Sequence, residues 1–266
     1  SHTHIPYNEP CFSVMALFQN LMPACAVATG RTLHSCKQYI PELPINAPSI
    51  FYNGTILQDT NNNVVLKTLS LQTKILFNFL KQCLIHCPNT CIELHTKDTF
   101  YIITKEEFDD PVIKRENLSY IRSNLDDLYD LDILKVQFYT TNTHTISWLH
   151  NFAKSMEMDK IAKYFTSWSS YFELIPKNAS KGIMLDNLRK MPMYKDKIFI
   201  AVGDFDNDIE MLLFADYGIA AQNATQNLKQ VADIIGVSCD EHLLFHVINK
   251  IIPNLDKLMI TTLQTA

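Results

Sequence analysis

Short apolar runs alternate with amphipathic segments at both ends of the chain. Residues 24–28, 49–52 and 198–202 are almost entirely apolar, and each run has the length of a buried strand. Helices are expected after two of these runs, over residues 31–39 and 209–215. This β-α-β order predicts an α/β fold with a doubly wound, mainly parallel, Rossmann-like sheet.

The same reasoning extends along the rest of the chain. Helices are expected over residues 8–21, 70–86, 145–156, 181–189, 225–231 and 241–252. Strands are expected over residues 91–95, 99–103, 133–139, 167–175, 217–221 and 232–235.

The middle of the chain has a different pattern of apolar and polar residues. Residues 91–95 alternate apolar and polar side chains, and residues 117–132 are acidic and rich in Asn. Alternating strands are typical of a sheet with one face open to solvent. We therefore predict an inserted α+β domain over residues 57–176, and a core domain over residues 1–56 and 177–266.

Four carboxylates occur within seven residues, directly after the strand predicted at 198–202. Asp204, Asn207 and Asp208 are spaced so that the last two can face the first at the beginning of a helix. Oxygen ligands at the carboxyl edge of a strand suit Mg²⁺, and Asp204 and Asp208 are its candidate ligands. Helix capping alone also favours acidic residues at such a junction, so both interpretations stay open.

Lys181 lies at the predicted beginning of a helix, where its charge opposes the helix dipole. A position inside a site, between the carboxylates and a ligand phosphate, would explain this placement. The alternative is an ordinary solvated lysine on the surface.

Two turns are weaker candidates for an anion site. Thr29-Gly30-Arg31 follows a strand and precedes a helix, so a hydroxyl and backbone N–H groups converge there. Asn53-Gly54 is a strong turn signal. Both patterns are also common in ordinary turns and helix caps.

Composition limits the classes of function. A net charge of −5, with 23 basic residues and no basic cluster, argues against a nucleic-acid-binding surface. No apolar run reaches the ~18 residues that cross a bilayer. Cys83, Cys87 and Cys91 lie near His86 with a metal-like spacing, but buried thiols explain them better. We expect a reduced, cytoplasmic protein.

Together these motifs resemble those of the haloacid dehalogenase (HAD) superfamily, and within it the Cof-type phosphatases with a large α/β cap. Residues 28–31 (Ala-Thr-Gly-Arg) resemble the second motif, and Lys181 in Ser-Lys-Gly resembles the third. Residues 203–211 resemble the fourth motif, GDxxNDxxM. Residues 53–54 resemble the turn that leads into the cap, and residues 218–224 resemble the strand and Asn-Ala turn that follow.

The resemblance implies a Mg²⁺-dependent phosphatase that acts on a small phosphorylated metabolite, such as a sugar phosphate. The charge and the hydropathy of the chain predict no nucleic-acid or membrane partner. The resemblance assigns Lys181, Asp204 and Asp208 to catalysis, and Asp204 and Asp208 to the metal. The residues expected to bind the substrate phosphate are Thr29, Gly30, Arg31, Asn53, Gly54, Lys181 and Asn207. The cap is expected to close over the substrate and set specificity.

Two departures from the family pattern matter. The first motif, DxDGT, which carries the attacking aspartate and a second acid/base aspartate, is absent from the sequence. Because residues 1–6 resemble the stretch after that motif, we expect the nucleophile to lie upstream of Ser1 and the central strand of the sheet to be missing. The second departure is Cys239-Asp240, where the family has an Asp-Gly pair.

Two alternatives stay open. A pseudo-phosphatase would bind a phosphorylated ligand or a protein partner without catalysis, and another segment would fill the central strand position. A sugar-phosphate mutase of the same fold would need the same nucleophile, and would transfer the phosphoryl group to a sugar instead of to water.

Overall fold

The computed structural model describes residues 13–18, 24–36, 39–40, 43–71, 73–104 and 107–255. Contacts divide the chain into two compact units. The first unit takes the chain up to Thr29, residues 45–49, and the chain from Lys181 onwards; the second takes Gly30–Pro44 and Ile50–Ser180. The second unit thus begins earlier along the chain than the predicted inserted domain, whose limits at 57 and 176 stay a prediction.

Five strands of the first unit lie side by side in the order β14-β13-β12-β1-β2. Their bounds are β1 Ser13–Phe18, β2 Ala24–Ala28, β12 Ile198–Gly203, β13 Tyr217–Ala220 and β14 Ile234–Ile235. The strands β12, β13 and β14 are parallel, and β1 is antiparallel to both β12 and β2. Consequently β2 and β12 run in the same direction, as expected for an α/β core.

Helices of the first unit follow its strands. They are α5 Lys181–Arg189, α6 Ile209–Phe214, α7 Gln226–Val231 and α8 Leu243–His246. Short 3-10 turns cover Asp206–Asp208, Cys239–Glu241 and Ile252–Asn254, and a π-helical turn covers Val247–Ile251. Helix α5 buries Met184, Leu185 and Leu188, which have the spacing of one helix face.

The helix predicted over residues 8–21 is wrong where the structure describes it. Ser13–Phe18 is a strand, paired from Val14 to Phe18 with β12 and from Ser13 to Leu17 with β2. Hydrogen bonding on both sides satisfies the backbone of this segment, and tertiary pairing of this kind overrides a local helical pattern. Residues 8–12 and 19–21 lie outside the described residues.

The second unit contains a six-stranded sheet with the order β10-β11-β9-β6-β7-β8. These strands are β6 Cys91–His95, β7 Phe100–Ile102, β8 Ile121–Arg122, β9 Lys135–Tyr139, β10 Ala162–Ser167 and β11 Tyr171–Pro176. The boundary between the units falls within the strand β3 Ser49–Phe51, between Ser49 and Ile50. The strand β4 Ile56–Asp59 pairs with β5 Val64–Thr68 as a hairpin.

Helices of the second unit are α1 Leu33–Cys36, α2 Thr73–His86, α3 Pro111–Arg115 and α4 Thr143–Ser155. Two short 3-10 turns cover Leu125–Leu128 and Met158–Lys160. A core of apolar side chains from α2, α4 and one face of the sheet includes Phe79, Ile92, Phe138, Leu149 and Phe172.

The prediction that this sheet has one open face is wrong for its central strands. All residues of β6 and β11 are buried. The polar face carries Glu93, His95, Lys135 and Glu173, and Lys135 Nζ lies 2.7 Å from Glu173 Oε2. Charged side chains can be buried when they are paired, so alternation along a strand does not by itself show which face meets water.

The single strand predicted over residues 167–175 is also wrong. Residues 167–175 contain the last residue of β10, a turn, and β11 up to Ile175. The two strands pair antiparallel from Ala162↔Pro176 to Ser167↔Tyr171. Trp168 and Ser169 form the turn with φ of 48° and 55°. Trp and Ser are not typical of left-handed turns, so the sequence pattern did not predict a turn at these positions.

The cysteines with metal-like spacing are buried thiols, as predicted. Cys83, Cys87 and Cys91 are unbonded and buried, and burial raises the pKa of all three thiols. Among the described residues there is no group of three or more His, Cys, Asp or Glu that could hold a metal ion. Every helix within the described residues is too short or too polar to cross a membrane.

Candidate functional site

The acidic motif and Lys181 come together at the carboxyl end of β12. Lys181 Nζ lies 2.6 Å from Asp208 Oδ1, and both side chains are buried. The second oxygen of Asp208 accepts hydrogen bonds from the backbone N–H groups of Asp204 (3.1 Å) and Phe205 (3.3 Å). Lys181 is therefore not a solvated surface lysine: its ammonium lies within the acidic motif.

Two glycines make this pair possible. At Gly203, a Cβ would lie 2.6 Å from the Cβ of Asp208. At Gly182, a Cβ would lie 2.5 Å from the backbone carbonyl of Glu210, so α5 approaches the beginning of α6 closely. Only glycine allows such backbone approaches, and they place Lys181 beside Asp208.

Asp206 has a different role from Asp208. Its carboxylate accepts from the hydroxyl of Thr225 and from Nδ2 of Asn227 (3.0 Å). Thr225 N also donates to the carbonyl of Asp204 at 3.1 Å. The beginning of α7 thus fixes the acidic loop, and this carboxylate serves the fold.

Thr29 and Asp204 leave the sheet of the first unit at the same edge. Val14 of β1 pairs with both Val27 and Val202, so these two residues lie at one level of the sheet. Thr29 and Asp204 each follow two positions later, on strands separated by β1. With strands ~4.8 Å apart, their backbones are about 10 Å apart. Thr29 is 5% exposed.

In the second unit, Gly30 and Asn53 are in close contact. A Cβ at Gly30 would lie 2.7 Å from Asn53 Oδ1. Tyr52, Asn53 and Gly54 all have positive φ, at 53°, 55° and 93°. A tyrosine rarely adopts this conformation, so the turn stores strain, and strained residues are frequent at functional sites.

The fit to a magnesium ion is incomplete within the described residues. Asp204 offers a carboxylate at the end of β12, but both oxygens of Asp208 are engaged by Lys181 and by backbone N–H groups. No group of three candidate ligands exists among these residues. The assignment of Asp208 as a direct metal ligand therefore has no support in this geometry.

In the second unit, sequence patterns did not reveal two residues, Tyr52 and Glu116, that contact Arg31 or the turn at Asn53. Tyr52 is fully buried, and its hydroxyl donates to the carbonyl of Thr96 at 3.3 Å. Glu116 accepts a hydrogen bond from Arg31 Nη1 at 2.8 Å, with only 2% of its side chain exposed. The position of Tyr52 before Asn-Gly was a usable signal. For Glu116 there was none, since 85 residues separate it from Arg31.

Comparison with known proteins decides the family. The model of the haloacid dehalogenase-like hydrolases matches residues 20–248. This chain belongs to that family. The family and the fold predicted from the resemblance are thereby confirmed, and the chain is a HAD-like hydrolase.

Individual relatives differ in how much of them the chain covers. It is 25% identical over 245 residues to the Bacillus subtilis protein YxeH, a proposed phosphatase, with 85% of this chain and 84% of YxeH aligned. It is 34% identical over 145 residues to the chloroplast endoribonuclease YBEY of Arabidopsis thaliana, covering 50% of this chain but only 24% of that protein. A haloacid dehalogenase-like hydrolase from Bacteroides thetaiotaomicron shares the fold, with a TM-score of 0.72, 20% identity and 85% of each chain covered.

Proposed function

We propose that this protein hydrolyses a small phosphate monoester, such as a sugar phosphate. The observation that carries the proposal is the buried Lys181–Asp208 pair at the carboxyl end of β12, inside the acidic motif. A lysine ammonium is a charged hydrogen-bond donor, which is the kind of group that binds a phosphate oxygen. Family membership supports the same chemistry, as does the relative YxeH, itself a proposed phosphatase.

The residues have distinct proposed roles. Lys181 and the hydroxyl of Thr29 stabilise negative charge on the transferring phosphoryl group. Asn207 contacts the substrate phosphate, and Asp208 holds Lys181 in place. Asp204 is the proposed Mg²⁺ ligand, together with ligands outside the described residues; the bound ion would neutralise phosphoryl charge.

The nucleophile is the part of the proposal that rests on the family alone. An aspartate of a DxDGT motif would attack phosphorus and form an aspartyl-phosphate, and residues 1–266 contain no such motif. A cytoplasmic location, a cap that closes over the substrate, and the absence of nucleic-acid and membrane partners stay predictions.

The test is hydrolysis of p-nitrophenyl phosphate by protein made from the complete gene, with and without Mg²⁺. We expect turnover that needs Mg²⁺ and falls at least ~100-fold in Asp204→Ala, because a charge-stabilising ligand is lost. Asp196→Ala is the matched control, since Asp196 is an exposed carboxylate shortly before β12. Equal activity of both variants would contradict the proposed role of Asp204.

One observation favours the second candidate, a phosphate-binding protein without catalysis. The strand β1 lies between β12 and β2. A pseudo-phosphatase is expected to have another segment of the chain at this central strand position, in place of the strand that carries the DxDGT motif. This alternative predicts that the protein from the complete gene binds inorganic phosphate by calorimetry, in a Lys181-dependent way, yet turns over neither p-nitrophenyl phosphate nor a panel of sugar phosphates.

A further inference from the structure

Arg31 is held from several directions within the second unit. Its Nη1 lies 2.8 Å from Glu116 Oε1 and 3.3 Å from Ser35 Oγ. Its guanidinium lies over the ring of Tyr39, 5.4 Å from the centroid, and its carbonyl accepts from Tyr52 N at 3.0 Å. The side chain therefore has little freedom, which is unusual for an arginine that keeps 22% of its surface exposed.

Glu116 is itself fixed by a short, strongly capped helix. Its N–H closes α3 by donating to the carbonyl of Val112, at 2.9 Å. At the other end, Asp110 Oδ1 accepts from the N–H groups of Val112 (2.7 Å) and Ile113 (3.1 Å), and Pro111 occupies the first turn. A five-residue helix would be marginal without these caps, so they determine where Glu116 lies.

Burying this carboxylate contributes little stability by itself. The desolvation of a buried ion pair roughly offsets its Coulomb attraction, so such pairs are weak evidence for stability. What the arrangement does secure is the orientation of the guanidinium, and Ser35 and Arg115 (3.2 Å) complete the hydrogen bonding of Glu116.

We propose that Glu116 is a positioning residue that orients Arg31 for the phosphorylated substrate. The inference rests on the proposed function, and on the role in binding the substrate phosphate that the family resemblance implies for Arg31. A guanidinium that is already oriented loses less entropy when it binds a phosphate, so binding gains directly from the partner. Glu116 itself touches no reacting atom.

The test is a double-mutant cycle of Glu116→Gln and Arg31→Lys in protein from the complete gene. We expect Glu116→Gln to raise KM for p-nitrophenyl phosphate about tenfold, the loss of one charge-assisted contact, with kcat changed less than about twofold. In the Arg31→Lys background the same substitution should add almost nothing, because its partner is already altered. Glu116→Asp should recover part of the lost affinity.

The control is Glu157→Gln, which changes an exposed carboxylate of the same unit that pairs with Lys160 at the surface. It should leave KM unchanged. Additive effects in the cycle, or an equal loss of kcat and of the unfolding midpoint in Glu116→Gln without a change in KM, would overturn the proposal and leave Glu116 a folding residue.

Failure of the proposed function gives a different result. Dissociation constants of inorganic phosphate, measured by calorimetry for the same four proteins, do not depend on turnover. If the wild-type protein binds phosphate with a non-additive Glu116–Arg31 cycle but hydrolyses nothing, the positioning role stands and the phosphatase assignment fails. If hydrolysis is normal but the KM cycle and the phosphate-binding cycle are both additive, the phosphatase assignment stands and the positioning role of Glu116 fails.

Discussion

The two units both bury carboxylates, but they satisfy them differently. In the first unit, each oxygen of Asp208 has a donor: Lys181 on one side and two backbone N–H groups on the other. In the second, Glu93 and Asp110 are buried side by side with Oε1 of Glu93 and Oδ2 of Asp110 lacking any donor. A carboxylate that has a donor for each oxygen has its hydrogen bonds satisfied. A buried carboxyl oxygen that has no donor, as in Glu93 and Asp110, can be satisfied by a proton shared with a neighbouring carboxyl.

The charges around the second group explain its behaviour. Burial raises the pKa of Glu93 to about 7 against the attraction of Lys135, with Glu173 also raising it. Burial and Glu93 raise the pKa of Asp110 to about 6. The pKa of His95 lies well below its usual value because of burial, so its 3.0 Å contact with Glu93 is a hydrogen bond of the neutral ring. A proton held between the Glu93 and Asp110 carboxyls would give both of them a hydrogen bond.

The largest expected effect comes from removing the cation of the first unit. Lys181→Met leaves Asp208 buried without its counter-charge, which we expect to lower the free energy of unfolding by about 3–5 kcal/mol. Urea unfolding measures this. Lys190→Met is the matched control, because Lys190 pairs with Asp186 at the surface, and it should cost less than about 1 kcal/mol. Similar losses in both variants would show that burial does not distinguish the two pairs.

An intermediate effect is expected from filling the space beside Asp208. Gly203→Ala brings a Cβ to 2.6 Å from the Cβ of Asp208, which cannot move without shifting the backbone of the acidic motif. We expect a loss of about 1–3 kcal/mol in urea unfolding. In the control Gly236→Ala, the nearest atom is the mobile end of Leu243, at 2.7 Å, so the loss should be smaller. The opposite ranking would contradict the close fit at Asp208.

The smallest effect separates the two kinds of buried carboxylate by pH. Glu93 and Asp110 have raised pKa values in the fold, so the folded protein holds more protons than the unfolded chain between about pH 4 and 7. Their contribution to stability is therefore complete below pH 4 and is lost as the pH rises to about 7. Glu93→Gln removes this loss, so its stability relative to the wild-type protein should increase from pH 5 to pH 7.

The quantity to measure is the difference in stability between the variant and the wild-type protein at each pH, because the contribution of His95 to stability has the opposite pH dependence. Its lowered pKa makes the fold gain stability as the pH rises towards 6.5. Unfolding midpoints at several pH values suffice, with Asp98→Asn as the control for an exposed carboxylate. A difference that does not change with pH would contradict the raised pKa of Glu93 in the folded protein.

Local sequence patterns predicted much of the first unit. The bounds of β2 and α5 agree with their predictions because each combines a clear apolar period with a clear end signal. The contact between Lys181 and the acidic motif followed from charge: four carboxylates close in sequence need a cation, and the lysine at an unfavourable helix end was available. The β1 strand was missed because its partners lie elsewhere in the chain.

The amino-acid sequence by itself determined the family, the order of the motifs and the chemistry concentrated after β12, because these depend on residue types at fixed short spacings. Only the tertiary structure decided which carboxylates have donors, that Glu116 lies against Arg31, and that the polar face of the second sheet is buried. Those facts depend on contacts between residues up to 85 positions apart. No local period records such contacts, since they arise from how strands pair and helices pack.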